Sequence, residues 1–346
     1  MDHEARNQMR QISMRTTMWA LLLAVPFTAA AQQPVKLKMA TFSPDTERLY
    51  NTVKKPWVAA VNKAAGGAIE IELYPNGALG RAPQQQAQMV IDGVTDIGFI
   101  VPPFTPGRFP DTEVIELPGM FQDLAEGTRV YTRLVQNGTI KDYGDYYPIA
   151  MWGTPPFSLH SNFPINSIKD LKGKRVRGSG VIQIESLKAL GAVTVGMPPT
   201  EVPEALSRRT IDASTSQPAV LYDFGLDRVT SHHYFIRLGA VPLAIVMNKR
   251  VFDGLPKAGQ DAIRKYDMDY INKLYIDSML EYDGSLVKKL ESDPKRKVVF
   301  PDAADQKAAQ AAFEPVIKAW AAKSPRHAEV YKAMVAEIDK ERGSKK

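Results

Sequence analysis

Lys36 and Lys38 separate Val35, Leu37 and Met39, and this period of two predicts a strand from Val35 to Ala40. The pattern then changes, with Leu49, Val53, Trp57 and Val61 recurring every four residues as on a helix with one face against a sheet. Ser43 is placed to cap that helix with Pro44 at its first position, and Gly66-Gly67 to end it. Ile69 to Tyr74 predicts a second strand closed by the turn Pro75-Asn76-Gly77. A glutamine-rich helix from Pro83 to Asp92 leads to a third strand, Asp96 to Val101. Strands alternating with helices predict a parallel sheet with right-handed crossovers, with the loops after the first and third strands at one crevice end. An amphipathic helix from Leu124 to Val135 and an apolar strand from Tyr147 to Trp152 complete this part.

Gly153-Thr154-Pro155-Pro156 reads as a passage into a second α/β unit that begins at Phe157. That unit holds a strand ending at Arg177, a helix from Gln183 to Leu190, a strand near Ala192 to Val195 and a helix from Glu201 to Arg208. A further strand from Ile211 ends in the small polar run Ser214-Thr215-Ser216-Gln217, and Phe235 to Asn248 is apolar enough for strands returning to the first lobe. No proline occurs from Lys257 to about Glu291, where Ile263, Ile271, Leu274 and Leu280 recur among charges, so one long helix, bent at Gly284, is expected to brace both lobes. Val298 to Phe300 predicts a short strand and Asp302 to Glu337 a helix. The expected fold class is α/β with two discontinuous lobes. One lobe takes residues 32–153 and about 237–272, the other 154–236 and about 285–330, with a bridging helix at about 257–291.

The residues before the first strand are read as an export signal rather than fold. Arg6, Arg10 and Arg15 precede an apolar run from Met18 to Phe27, and Ala29-Ala30-Ala31 supplies small residues for cleavage after Ala31. The run falls short of the roughly 20 residues that span a bilayer. Removing three arginines, Asp2 and Glu4 from 44 Lys plus Arg and 38 Asp plus Glu leaves +5, spread along the chain, so no polyanion surface is expected and nucleic acid is excluded as a partner. With no cysteine, disulfides, thiolate metal sites and thiol nucleophiles are excluded together. The roughly 315 remaining residues are enough for two lobes.

Candidate chemistry narrows to one cation. In Asp170-Leu-Lys-Gly-Lys-Arg-Val-Arg177 the last arginine ends a strand before the loop Gly178-Ser179-Gly180. Ligands in open α/β sheets bind beyond the carboxyl ends of strands, and a guanidinium fork suits a carboxylate. The plain alternative is two solvated charges, Arg175 and Arg177, on an edge strand. A serine elbow, dinucleotide and phosphate-loop glycine patterns and a metal-ligand histidine spacing are all missing. Adjacent His232 and His233 point to opposite faces of a strand and read as structural. A cleft with one placed cation and little else reactive favours binding over turnover, so no enzyme, cofactor or metal is expected.

The same segment resembles the central signature of the DctP-like solute-binding proteins of TRAP transporters. The similarity continues through Tyr74-Pro-Asn-Gly-Ala-Leu-Gly80, Asp92-Gly-Val-Thr-Asp-Ile-Gly98, Leu117-Pro-Gly-Met-Phe121 and Met197-Pro-Pro-Thr-Glu-Val202, in family order. The resemblance implies a two-lobed periplasmic binding protein fold with an interlobe cleft, closing on an organic acid and delivering it to a small and a large membrane subunit without an ATPase. It makes Arg177 the carboxylate clamp and Gln217 a second donor, with Thr215 or Ser216 adding hydrogen bonds. Two departures from the family pattern, no second arginine near Pro156-Phe157 and Pro199 where an aromatic is common, favour a monocarboxylate over a dicarboxylate. Phe42, Trp152 and Phe157 are expected to line its apolar body. A sensory module using the same pocket, or an organic-acid lyase or isomerase, are the competing readings.

Overall fold

The computed structural model describes residues 33–344. The export signal and its cut after Ala31 lie outside those residues. In β1 (Val35–Ala40), Leu37 and Met39 are fully buried while Lys36 and Lys38 face water, the two-residue alternation of a half-covered strand. The next helix begins only at Arg48, after a turn at residues 44–47. Ser43 does not cap it, because its carbonyl accepts from the Asn76 N–H and its hydroxyl accepts from Lys54. A π-helical turn, Tyr50–Lys54, runs into α1 (Lys55–Ala64) and turns both Val53 and Lys54 inward.

The chain continues through β2 (Ile69–Tyr74), α2 (Gln86–Ile91), β3 (Ile97–Ile100), α3 (Leu124–Gln136) and β4 (Tyr146–Gly153). It then builds β5 (Ser158–Ser161), β6 (Arg175–Gly178), α4 (Val181–Ala189), β7 (Val193–Gly196), α5 (Val202–Ser207), β8 (Ala213–Ser216), α6 (Pro218–Asp223) and β9 (His232–Tyr234). It returns with β10 (Pro242–Asn248), and α7 (Lys249–Gly254), α8 (Lys257–Tyr266), α9 (Asp269–Ser292), β11 (Lys297–Val299), α10 (Ala303–Ala321) and α11 (Pro325–Gly343) follow.

Two sheets result, ordered β2-β1-β3-β10-β4 and β11-β9-β5-β8-β6-β7. The expected parallel arrangement holds for β1 with β2 and β3, but β10 lies antiparallel between β3 and β4. β10 arrives from the second sheet rather than through a helical crossover, so right-handed βαβ geometry does not constrain it. All of its residues but Asn248 are buried, as for a strand covered on both faces.

The single helix expected over 257–291 is two helices. Main-chain groups at the break find partners elsewhere: the Trp57 indole donates to the Tyr266 carbonyl at 2.9 Å and the Met268 N–H donates to the Ile149 carbonyl at 2.7 Å. The Tyr147 hydroxyl also donates to the Asp267 carboxylate. α9 runs unbroken through Gly284 and packs on α3 and β4 from the first lobe and on α6 and β11 from the second. The helix expected over 302–337 also divides, at Ser324, whose side chain caps α11 ahead of Pro325. One apolar cluster joins Met39, Phe99 and Trp152 of the first sheet to Leu159 and Val176 of the second, so the lobes are closed on each other.

Candidate binding cavity

β6 carries two arginines on one face at its two ends. Arg175, near the start, is exposed and forms an ion pair with Asp212 at 2.8 Å. Arg177, paired in register with Val195 and Ser214, is only 2% exposed. Its Nε donates to the Met197 carbonyl at 2.7 Å and one terminal nitrogen to the Thr215 carbonyl at 3.1 Å. The other terminal nitrogen, Nη2, is buried without a hydrogen-bond partner. Burial pushes the guanidinium down to about 9, while the Glu201 charge favours its protonated form.

Arg177 lines a cavity between the lobes whose empty space, counting its opening toward solvent, is about 650 Å³. Phe42, Phe99 and Phe104 come from loops and strands of the first lobe, Phe157 from the crossover after β4, and Met279 from α9. Phe42 stacks on Phe99 with ring centroids 5.6 Å apart. Gln217 lines the same cavity from the residue preceding α6, and its buried Oε1 has no partner.

A second polar group lies on the wall built by Glu47 and Asp223. Glu47 is held by Lys54, whose ammonium lies 2.9 Å from its carboxylate, 3.1 Å from the Thr41 hydroxyl and 3.7 Å from the centre of the Phe99 ring. Lys54 is completely buried, and burial lowers its pKa. Burial, helped by the Glu47 charge, pushes the Asp223 carboxyl up to about 7 against the opposing Arg48 N–H and Lys54. Behind it, Asp283 on α9 accepts from the Ala219 N–H at 3.0 Å, and burial pushes it to about 7 as well.

Residues 39–324 match the family described as bacterial extracellular solute-binding protein, family 7. The chain belongs to this family. A TRAP solute-binding protein from a marine metagenome, specific for aromatic acid ligands and bound to metahydroxyphenylacetate, has a TM-score of 0.82 and 29% identity, covering 88% of this chain and 99% of that one. A TRAP solute-binding protein of Rhodoferax ferrireducens with copurified benzoate gives 0.84 at 26% identity, covering 90% and 100%. The C4-dicarboxylate-binding periplasmic protein of Rhodobacter capsulatus is 26% identical over 271 residues, 74% of this chain and 78% of that protein. The fold is therefore the two-lobed TRAP receptor fold, and the chain is a binding protein, not an enzyme. DctP-like binding proteins are exported, and among the described residues no helix is long and apolar enough to cross a membrane.

In this solute-binding protein four of the residues singled out from sequence, Phe42, Phe157, Arg177 and Gln217, meet around one cavity. Three others do not line it. Trp152 is fully buried one layer behind, paired with Leu243 across β4 and β10 and stacked on Tyr275, which takes the place at the wall. Thr215 turns its hydroxyl to the Gln183 amide at 2.9 Å and offers Arg177 only its carbonyl. The Ser216 hydroxyl donates to the Gln217 carbonyl at 3.0 Å. Glu47 and Asp223 were not singled out. Their one sequence signal is an acid next to apolar helical residues, a pattern that usually marks a solvated edge.

Proposed function

We propose that this TRAP solute-binding protein captures a monocarboxylate with an aromatic or other apolar body and passes it to the small and large membrane subunits of a permease. The observation that carries this reading is the Nη2 of Arg177, buried without a hydrogen-bond partner among the described residues, on a residue that lines a cavity walled by five phenylalanines. An unpaired buried cation is costly, and a carboxylate that takes the free edge of the fork relieves that cost. The two bonds to main-chain carbonyls hold the fork in place before the ligand arrives, so little ordering remains to be done on binding. The aromatic acids bound by the metagenomic and Rhodoferax proteins are of this chemical type.

Arg177→Ala should weaken benzoate or phenylacetate binding by more than about tenfold, since truncating one partner of a buried charged pair costs roughly 2 to 5 kcal/mol. Titration calorimetry on the unmodified protein and the variant reads the change, and unchanged affinity would remove Arg177 as the clamp. Delivery is read from uptake of labelled ligand by cells with and without the membrane subunits. Uptake indifferent to those subunits would favour a sensory role.

A further inference from the structure

Resting on the carboxylate reading above, we infer that the wall formed by Glu47 and Asp223 is a second subsite that selects acids carrying a neutral hydroxyl in addition to the carboxylate. Both residues line the cavity that Arg177 lines, so one ligand there faces a guanidinium and a carboxyl wall together. A bound acid thus meets a cation, aromatic side chains and carboxyl oxygens within one cavity.

Glu47 is already neutralised by Lys54 at 2.9 Å, which leaves Asp223 as the acid on this wall without an ion pair. An O–H that donates to a carboxyl oxygen satisfies that acceptor without bringing a second charge into an apolar site. The buried Gln217 Oε1 has no donor among the described residues, so a second polar atom in this cavity is also unsatisfied by the protein alone. Asp223 ends α6, and Asp283 holds the start of that helix through the Ala219 N–H, so the acid sits on an element anchored to α9. The subsite is built into the framework and does not depend on a loose loop.

The test is calorimetry with phenylacetate, its 3- and 4-hydroxy derivatives, the matching methoxy derivatives and 3-(aminomethyl)phenylacetate. In the unmodified protein one hydroxylated acid should bind at least about tenfold tighter than its methoxy counterpart, the discrimination expected where a buried acceptor loses its donor. In Asp223→Ala that ratio should fall toward one, whereas the near-isosteric Asp223→Asn, whose amide oxygen still accepts, should keep part of it. Because the readout is a ratio of two affinities in the same protein, a folding defect that lowers both leaves it intact. Equal binding of hydroxy and methoxy acids, with both weakened by Arg177→Ala, would overturn the subsite and leave the carboxylate reading standing. Tighter binding of the ammonium-bearing acid than of either hydroxylated one would overturn the assignment to a hydroxyl. Failure of every arylacetate to bind would overturn both readings.

Discussion

His160 and His233 meet with their rings tilted by 58° and their Nδ1 atoms 2.8 Å apart, and the contacts on either side decide which nitrogen carries each proton. Nε2 of His160 lies 3.3 Å from the Ser216 carbonyl and must donate, so its Nδ1 accepts. His233 then donates through Nδ1, and its Nε2 is left to accept from Arg296 at 3.5 Å. Both rings are neutral in this arrangement, and burial pushes them down, His160 to about 4 and His233 to about 2. The unfolded chain therefore binds more protons than the fold once pH drops below 6.5, the ordinary value. Stability from this source is fully present above that pH and falls as pH drops toward 4, by on the order of 3 kcal/mol for His160. Urea midpoints at about pH 7.5 and about pH 4.5 should differ accordingly, and the double variant His160→Gln, His233→Gln should show a shallower dependence. A variant with the same slope would place the acid sensitivity elsewhere. Sequence gave the opposite facing of His232 and His233 through the two-residue period of a strand, but not the partner, because His160 comes from β5 and nothing local joins the two.

Elements were legible where one periodicity dominated. β1 and α1 follow their apolar spacing closely, and Arg177 could be aimed at the cavity because a strand end facing a glycine loop has a defined direction. What escaped was decided by tertiary partners. The break at Asp267 and Met268 exists because β4 and α1 offer hydrogen bonds there, and the π turn that brings Lys54 inward serves a buried ion pair with Glu47. Trp152 looked like a cavity wall because it ends an apolar strand, yet Tyr275 from a helix more than a hundred residues later covers it. The junction of β4 with α3 shows the same dependence. A side chain at Gly153 would place its Cβ 2.8 Å from the Gly127 carbonyl carbon and 3.0 Å from its Cα. Main chain cannot yield as a flexible side chain does, and the Gly153 N–H and carbonyl are both bonded to the Thr128 hydroxyl. Gly153→Ala should therefore lower stability by about 1 to 3 kcal/mol, as overpacking does, measured as a lower urea midpoint with unchanged slope. An unaltered midpoint would mean that strand and helix separate more easily than this contact implies.

At the scale of the whole molecule the question is what holds the closed arrangement. A ligand that touches both lobes binds the closed state better and shifts the population toward it, but closure also needs the facing surfaces to fit. Gly180, which precedes α4, lies against the opposite lobe: a Cβ there would fall 2.5 Å from the Glu116 Oε2 and 2.6 Å from the Pro103 Cβ. Its φ of −145° is open to any residue, so alanine at this position strains neither the loop nor an open molecule. Glu116 is itself buried, with Oε2 unpartnered among the described residues, and burial raises its pKa well above the usual carboxylate range. Gly180→Ala should then act on closure alone. The melting temperature without ligand should stay within a degree or two of the unmodified protein, while affinity for the ligand drops by about tenfold, equivalent to about 1.4 kcal/mol. Scattering profiles should show the lobes drawing together on saturation in the unmodified protein and a more open average in the variant at the same ligand concentration. If the alanine variant bound ligand with unaltered affinity, the contact between Gly180 and Glu116 would not be part of the closing surface. If the unmodified protein scattered identically with and without ligand, closure would not be coupled to binding at all.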